Sequence, residues 1–154
     1  MNFFFKLVVL MFCGGLFAQG SHEECNALQS ATNRYIAFIN HLGGPDADIG
    51  NAALICAPDC KKIFNGKLSA NSRDEFISQL LDLKQNQGHW AVSPAEILFL
   101  PESRVAVLRL IIAIERAGAF TAIVILRYTP EFLVAEINEV FNKFEGCDEI
   151  PQIR

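Results

Sequence analysis

From about Glu23 to Leu42 the apolar residues fall at Leu28, Ala31, Tyr35, Phe38, Ile39 and Leu42. That spacing predicts a helix with one buried stripe. Gly43-Gly44-Pro45 stops it, because glycine permits a left-handed cap and proline cannot continue the helix. A shorter helix is expected from Asp46 to Cys56, carrying Ile49, Ala52, Ala53 and Leu54 and ended by Pro58. "KKIFNGKLS" then predicts a short strand pair turning on Asn65-Gly66. In "NSRDEFISQLLDLKQNQG", Ser72 and Glu75 have capping-box spacing. Phe76, Ile77, Leu80, Leu81 and Leu83 supply the apolar face of that helix, and Gly88 marks its end.

After Gly88 the period changes from helical to two. Extended segments are predicted at His89 to Leu100, Arg104 to Glu115, Phe120 to Tyr128 and Phe132 to Phe141. They are rich in Val, Ile and Leu, as half-buried strands are. Pro101-Glu102-Ser103 and Ala117-Gly118-Ala119 provide turns, and links this short imply antiparallel pairing. Helices first and then a meander of long strands predict an α+β layer, with helices on one face of a curved antiparallel sheet. A sheet curved around a long helix leaves a cone with an open end, a common place for a small-molecule site.

The first twenty residues, "MNFFFKLVVLMFCGGLFAQG", follow a different rule. Lys6 precedes an apolar run from Leu7 to Phe12, and Ala18-Gln19-Gly20 offers small side chains for a signal peptidase. This is the pattern of a cleaved secretory leader. The run is well short of the roughly 20 apolar residues that span a bilayer, and Gly14-Gly15 interrupts it. Lipidation at Cys13 is disfavoured by the large Phe12 before it. The expected organisation is a signal peptide at 1–20 and a single domain at 21–154, secreted or periplasmic, with no stable membrane insertion after cleavage.

Loss of the leader removes one basic residue, Lys6, and no acidic one. Twelve basic against 17 acidic residues leave a net charge of −5. With no basic run longer than Lys61-Lys62, nucleic acid is not an expected partner. Cys25, Cys56, Cys60 and Cys147 remain, an even number that suggests disulfides in an exported chain. "CAPDC" is open to three readings: a short-loop disulfide, half of a metal site, or two unrelated thiols. It is not C-x-x-C, and no second close Cys/His pair completes a zinc site. A Cys25–Cys147 staple between the chain ends is a further pairing.

The order of elements resembles the NTF2-like superfamily, which includes the SnoaL-like polyketide cyclases and ketosteroid isomerases. The resemblance covers about Ala31 to Phe141. It rests on "NRYIAFIN" in the first helix, "SRDEFISQL" in the third and the closing strand "FLVAEINEVF". It implies a cone in which a curved antiparallel sheet wraps a long N-terminal helix, with two further helices. In ketosteroid isomerases a first-helix tyrosine helps form the oxyanion hole, and Tyr35 is in the matching place. That chemistry also needs a base and a protonated acid. "KKIFNGK" and "AIVILRY", the matching segments, contain neither.

No G-x-S-x-G, H-E-x-x-H or phosphate-binding glycine loop occurs. No catalytic residue, metal ligand or cofactor is therefore expected. The candidate pocket residues are Tyr35, Trp90, Arg109, Arg127, Glu136 and Asn138. Arg109 and Arg127 interrupt apolar strands. They either grip an anionic ligand inside the cone or lie on the outer face, paired with a strand glutamate; the second is favoured, because one face of an antiparallel sheet is commonly solvated. His89, beside Trp90, is expected at a surface boundary.

The leading expectation is a protein that binds a small, largely apolar ligand, or a protein partner. The alternatives are an isomerase, cyclase or hydrolase using Tyr35 with a strand carboxylate, and a structural module that homodimerises through the sheet face.

Overall fold

The computed structural model describes residues 3–45 and 48–143. Its first element is α1 (Phe3–Gly43), which runs much farther back than the expected Glu23. Leu28, Ala31, Tyr35, Phe38 and Leu42 form its buried stripe, as the spacing predicts, and Ile39 is half-buried. Gly43 ends the helix under Trp90. A Cβ there would run into the Trp90 carbonyl and indole, so only glycine fits.

The predicted second helix is reduced to one turn, α2 (Ala52–Ile55), and Asp46 lies outside the described residues. The chain is already extended at Cys56, where β1 (Cys56–Phe64) begins. Pro58 therefore falls inside a strand. It is tolerated because the β1 ladder is interrupted between Cys56 and Lys61, so its missing N–H leaves no gap in the pairing. Asn65 and Gly66, with φ of 48° and 78°, turn the chain into β2 (Lys67–Ala70). Positive φ at both centres is the hairpin turn that the Asn-Gly pair favours.

In α3 (Arg73–Gln87) the Ser72 hydroxyl accepts from the Glu75 amide at 3.2 Å. The Glu75 carboxylate accepts in turn from the Asn71 amide at 2.7 Å. The predicted cap thus forms, displaced by one residue on its return bond. Phe76, Ile77 and Leu80 are buried, whereas Leu81 faces solvent. Gly88, with φ of 80°, closes the helix.

Four long strands follow: β3 (Trp90–Leu100), β4 (Val105–Ile114), β5 (Gly118–Tyr128) and β6 (Val134–Lys143). β4 and β5 pair without a break from Val105↔Arg127 to Ile114↔Gly118. The sheet order is β2-β1-β6-β5-β4-β3, and the sheet is curved and unclosed. One join departs from the expected antiparallel meander. β1 runs parallel to β6, so the sheet is mixed. The last strand returns beside the first across the middle of the sheet, and short-link reasoning cannot see a join of that range.

The core lies between the concave face and the two long helices. Leu108, Val124, Leu126 and Ile137 from the sheet meet Leu28 and Phe38 from α1 and Phe76 from α3. The free edge of β3 is covered in part by Asn40 of α1. Its side chain donates to the Val92 carbonyl at 2.9 Å and accepts from the Val92 amide at 2.7 Å. An edge strand otherwise presents unpaired backbone groups. The arrangement is the α+β cone expected from the sequence.

Candidate functional site

The cone encloses a cavity of about 70 Å³ between α1, α3 and the sheet. Its walls are apolar: Ile36 and Ile39 of α1, Leu80 of α3, Leu110 and Ile112 of β4, Val124 of β5. The interior widens outward into a mouth of about 590 Å³. Lys62, Leu80, Leu83, Ile114, Glu139 and Phe141 line both spaces and so form the neck between them. Phe64, Phe120 and Phe141 make an aromatic rim, with Phe141 5.3 Å from Phe64 and 6.2 Å from Phe120 between ring centroids.

The polar content of this neck is concentrated in one pair. Lys62 Nζ of β1 lies 3.0 Å from Glu139 Oε2 of β6, with side chains only 12% and 10% exposed. The ammonium also sits 5.2 Å from the Phe76 ring centroid, within cation–π range. Neighbouring strand register brings the two charges together: Lys62 faces Ile137, and Phe64 faces Glu139, in the parallel β1–β6 ladder. Asn65 holds the same corner. Its amide donates to the Glu139 carbonyl at 2.8 Å, and its side-chain oxygen accepts from the Phe141 amide at 2.9 Å.

Tyr35 and Trp90, two of the predicted pocket residues, line the cavity. The Trp90 indole N–H donates to the Ile39 carbonyl at 2.9 Å, which fixes the ring against α1. Burial pushes the Tyr35 phenol well above its ordinary value, and the Glu139 carboxylate adds to the shift. The shift favours the neutral phenol, a hydrogen-bond donor. No hydrogen bond joins its hydroxyl to another described side chain.

The other four predicted residues lie outside the cavity. Arg109 and Glu96 pair at 3.1 Å across β4 and β3, and Arg127 and Glu136 pair at 3.3 Å across β5 and β6. The Arg109 guanidinium, by hydrogen bond and charge, holds the Glu96 carboxyl below its usual range. Asn138 is on the same side of β6 as Glu136. This is the outer-face placement the sequence favoured for the arginines. Charges there stay solvated, whereas the concave face is filled by core side chains.

Sequence reasoning missed Lys62 and Glu139. The signal was present in "INEVF", where Ile137, Glu139 and Phe141 share one face, an acid flanked by two apolar residues that want burial. His89 is half-buried at the α3–β3 corner, its Nδ1 3.1 Å from the Gly43 carbonyl oxygen. Cys25, Cys56 and Cys60 carry free thiols, and Cys147 lies outside the described residues. Among the described residues, no group of three His, Cys, Asp or Glu side chains converges to hold a metal ion. Among them, too, no helix is long and apolar enough to cross a membrane.

No family model matches the chain, and no curated protein matches it in sequence. Solved structures do match in shape. AusH from Aspergillus nidulans superposes with a TM-score of 0.61 at 14% identity, over 76% of this chain and 84% of that one. A candidate SnoaL-like polyketide cyclase from Jannaschia sp. CCS1 gives 0.63 at 11% identity, over 76% and 86%. An NTF2-like protein of unknown function from Exiguobacterium sp. 255-15 gives 0.63 at 10% identity, over 74% and 99%. At such identities the likeness is one of architecture: this chain has the NTF2-like fold.

Proposed function

We propose that this protein is exported and binds a small, largely apolar ligand in the cone, with a polar group of the ligand at the Lys62–Glu139 neck. The observation that carries the reading is the apolar cavity opening through a single ion pair into an aromatic-rimmed mouth. The volumes constrain the ligand. Ligand clefts commonly measure about 300–1,000 Å³. The interior at about 70 Å³ falls short of that range and the mouth at about 590 Å³ falls within it. A ligand would therefore seat a narrow apolar end inside and keep its bulk among Phe64, Phe120 and Phe141. Lys62 and Glu139 together offer donors and an acceptor with no net charge, which suits a hydroxyl or carbonyl better than a free anion.

Trp90 is the only tryptophan and lines the cavity, so its emission reports on occupancy. Titration with n-octanol, a narrow tail carrying one hydroxyl, should change that emission saturably. An unchanged spectrum up to the solubility limit would count against the reading. Export is supported by the leader pattern at 1–20. N-terminal sequencing of secreted or periplasmic protein should begin near Ser21, and an intact Met1 there would refute it.

A catalytic reading is favoured by one observation: Glu139, a buried strand carboxylate, shares the cavity with the Tyr35 phenol. A carboxylate beside a neutral phenol can take a proton next to a carbonyl while the phenol donates to the resulting enolate. Lys62 competes for that carboxylate, which is why binding is the preferred reading. Turnover of a 3-keto-Δ5 steroid or another enolisable carbonyl, abolished in both Glu139→Gln and Tyr35→Phe, would establish the enzyme instead.

A further inference from the structure

We infer that Cys56 and Cys60, which the structure holds as thiols, form a disulfide under oxidising conditions, closing a five-residue ring over a bulge at the start of β1. Register carries this inference. Cys56 is opposite Val134 and Lys61 is opposite Glu136, so five steps along β1 match two along β6. Five extended steps would cover about 17 Å, but two cover about 6.6 Å. The intervening Ala57-Pro58-Asp59 must therefore loop out, and Pro58 and Asp59 are exposed. Cys60 falls one residue before the rejoined ladder, so the loop folds it back toward Cys56, as a disulfide, with its Cα separation of about 4.4–6.8 Å, requires. Both side chains are fully buried in the same core cluster, close enough for each thiol to shift the other's acidity.

That contact also assigns roles. The hydrogen bond from Cys56 holds the Cys60 thiol below its ordinary value, while the same bond and burial push Cys56 far up. Exchange starts most readily from Cys60, the more acidic thiol. Its thiolate attacks one sulfur of an oxidising disulfide, such as oxidised glutathione or an oxidoreductase Cys–Cys pair, forming a mixed disulfide and expelling one thiolate. Cys56 then loses its proton and attacks the Cys60 sulfur, expelling the second thiolate. Two protein thiols are oxidised, and one small disulfide is reduced to two thiols. Because Lys62 follows Cys60 by two residues, the ring also fixes the strand that delivers Lys62 to the neck. The fully buried pair forms most readily before or during folding, when an oxidant can reach it.

The test does not depend on the export reading, which only supplies an oxidising compartment. The full chain is reduced, unfolded and refolded in a glutathione redox buffer, then alkylated without reduction and digested with trypsin. Cleavage after Arg34 and Lys61 places Cys56 and Cys60 in one peptide, Tyr35–Lys61. The expected peptide is unalkylated and lighter than its reduced form by two hydrogen atoms. Alkylation of both cysteines, or linkage of either to Cys13, Cys25 or Cys147, would overturn the assignment. In a Cys25→Ser/Cys147→Ser background the oxidised protein should still melt several degrees above the reduced one. Equal melting temperatures there would also overturn it.

Discussion

The Lys62 ammonium of β1 and the Glu139 carboxylate of β6 meet 3.0 Å apart at the neck of the cone, each side chain about nine-tenths buried. A charge in such a place is costly without its partner, because desolvation is no longer offset. Lys62→Met should therefore destabilise the protein by about 2–4 kcal/mol in denaturant unfolding. Lys62→Met/Glu139→Leu should recover much of the loss, since an apolar pair suits the surrounding Phe76 and Leu80. Equal, additive losses would mean that the two charges do not couple.

The two tyrosines should respond differently to loss of the hydroxyl. Tyr128 bonds the Thr32 hydroxyl at 2.9 Å inside the core. Tyr128→Phe should cost about 1 kcal/mol. Tyr35→Phe, which removes no bond to a described side chain, should stay within about 0.5 kcal/mol of wild type.

Both phenols are raised above their ordinary value, chiefly by burial. In the unfolded chain they ionise near pH 10. Their contribution to stability is therefore fully present below that pH and declines as pH rises above it toward the folded values. Ultraviolet absorbance should show phenolate appearing together with alkaline unfolding. Phenolate formed in a still-folded protein near pH 10 would contradict the burial of these rings.

Gly43 allows α1 to end against Trp90 with no room for a Cβ. Gly43→Ala should push the indole from the Ile39 carbonyl, costing about 1–3 kcal/mol as overpacking does, with a shift in Trp90 emission. Wild-type stability with an unmoved spectrum would show that the contact gives way freely.

Much of this fold was legible. The stripe from Leu28 to Leu42, the Ser72 cap, the Asn65-Gly66 turn and the β4–β5 hairpin all depend on neighbours close in sequence. The parallel β1–β6 join was not legible, because Cys56 and Val134 are distant along the chain and no local pattern couples them. The short α2 was misread for the same reason: pairing with β6 draws Cys56–Phe64 into a strand and overrides the helical spacing before it. Tyr35 and Trp90 were legible as pocket residues because each belongs to an apolar run facing the core. Lys62 and Glu139 were missed: alternation gives two faces without saying which points inward, and only the apolar neighbours of Glu139 in "INEVF" carried a signal. Arg109, Arg127 and Glu136 stood out on β4, β5 and β6 and occupy the outer face.

The central claim is that the cavity behind the Lys62–Glu139 neck takes a ligand. Isothermal titration calorimetry of n-octanol, on wild type and on Leu83→Trp with the neck filled, tests it most directly. Wild type should give a saturable one-to-one heat, with the negative heat-capacity change of apolar burial, and the folded variant should lose it. No saturable heat in wild type, or the same heat with the neck filled, would contradict it.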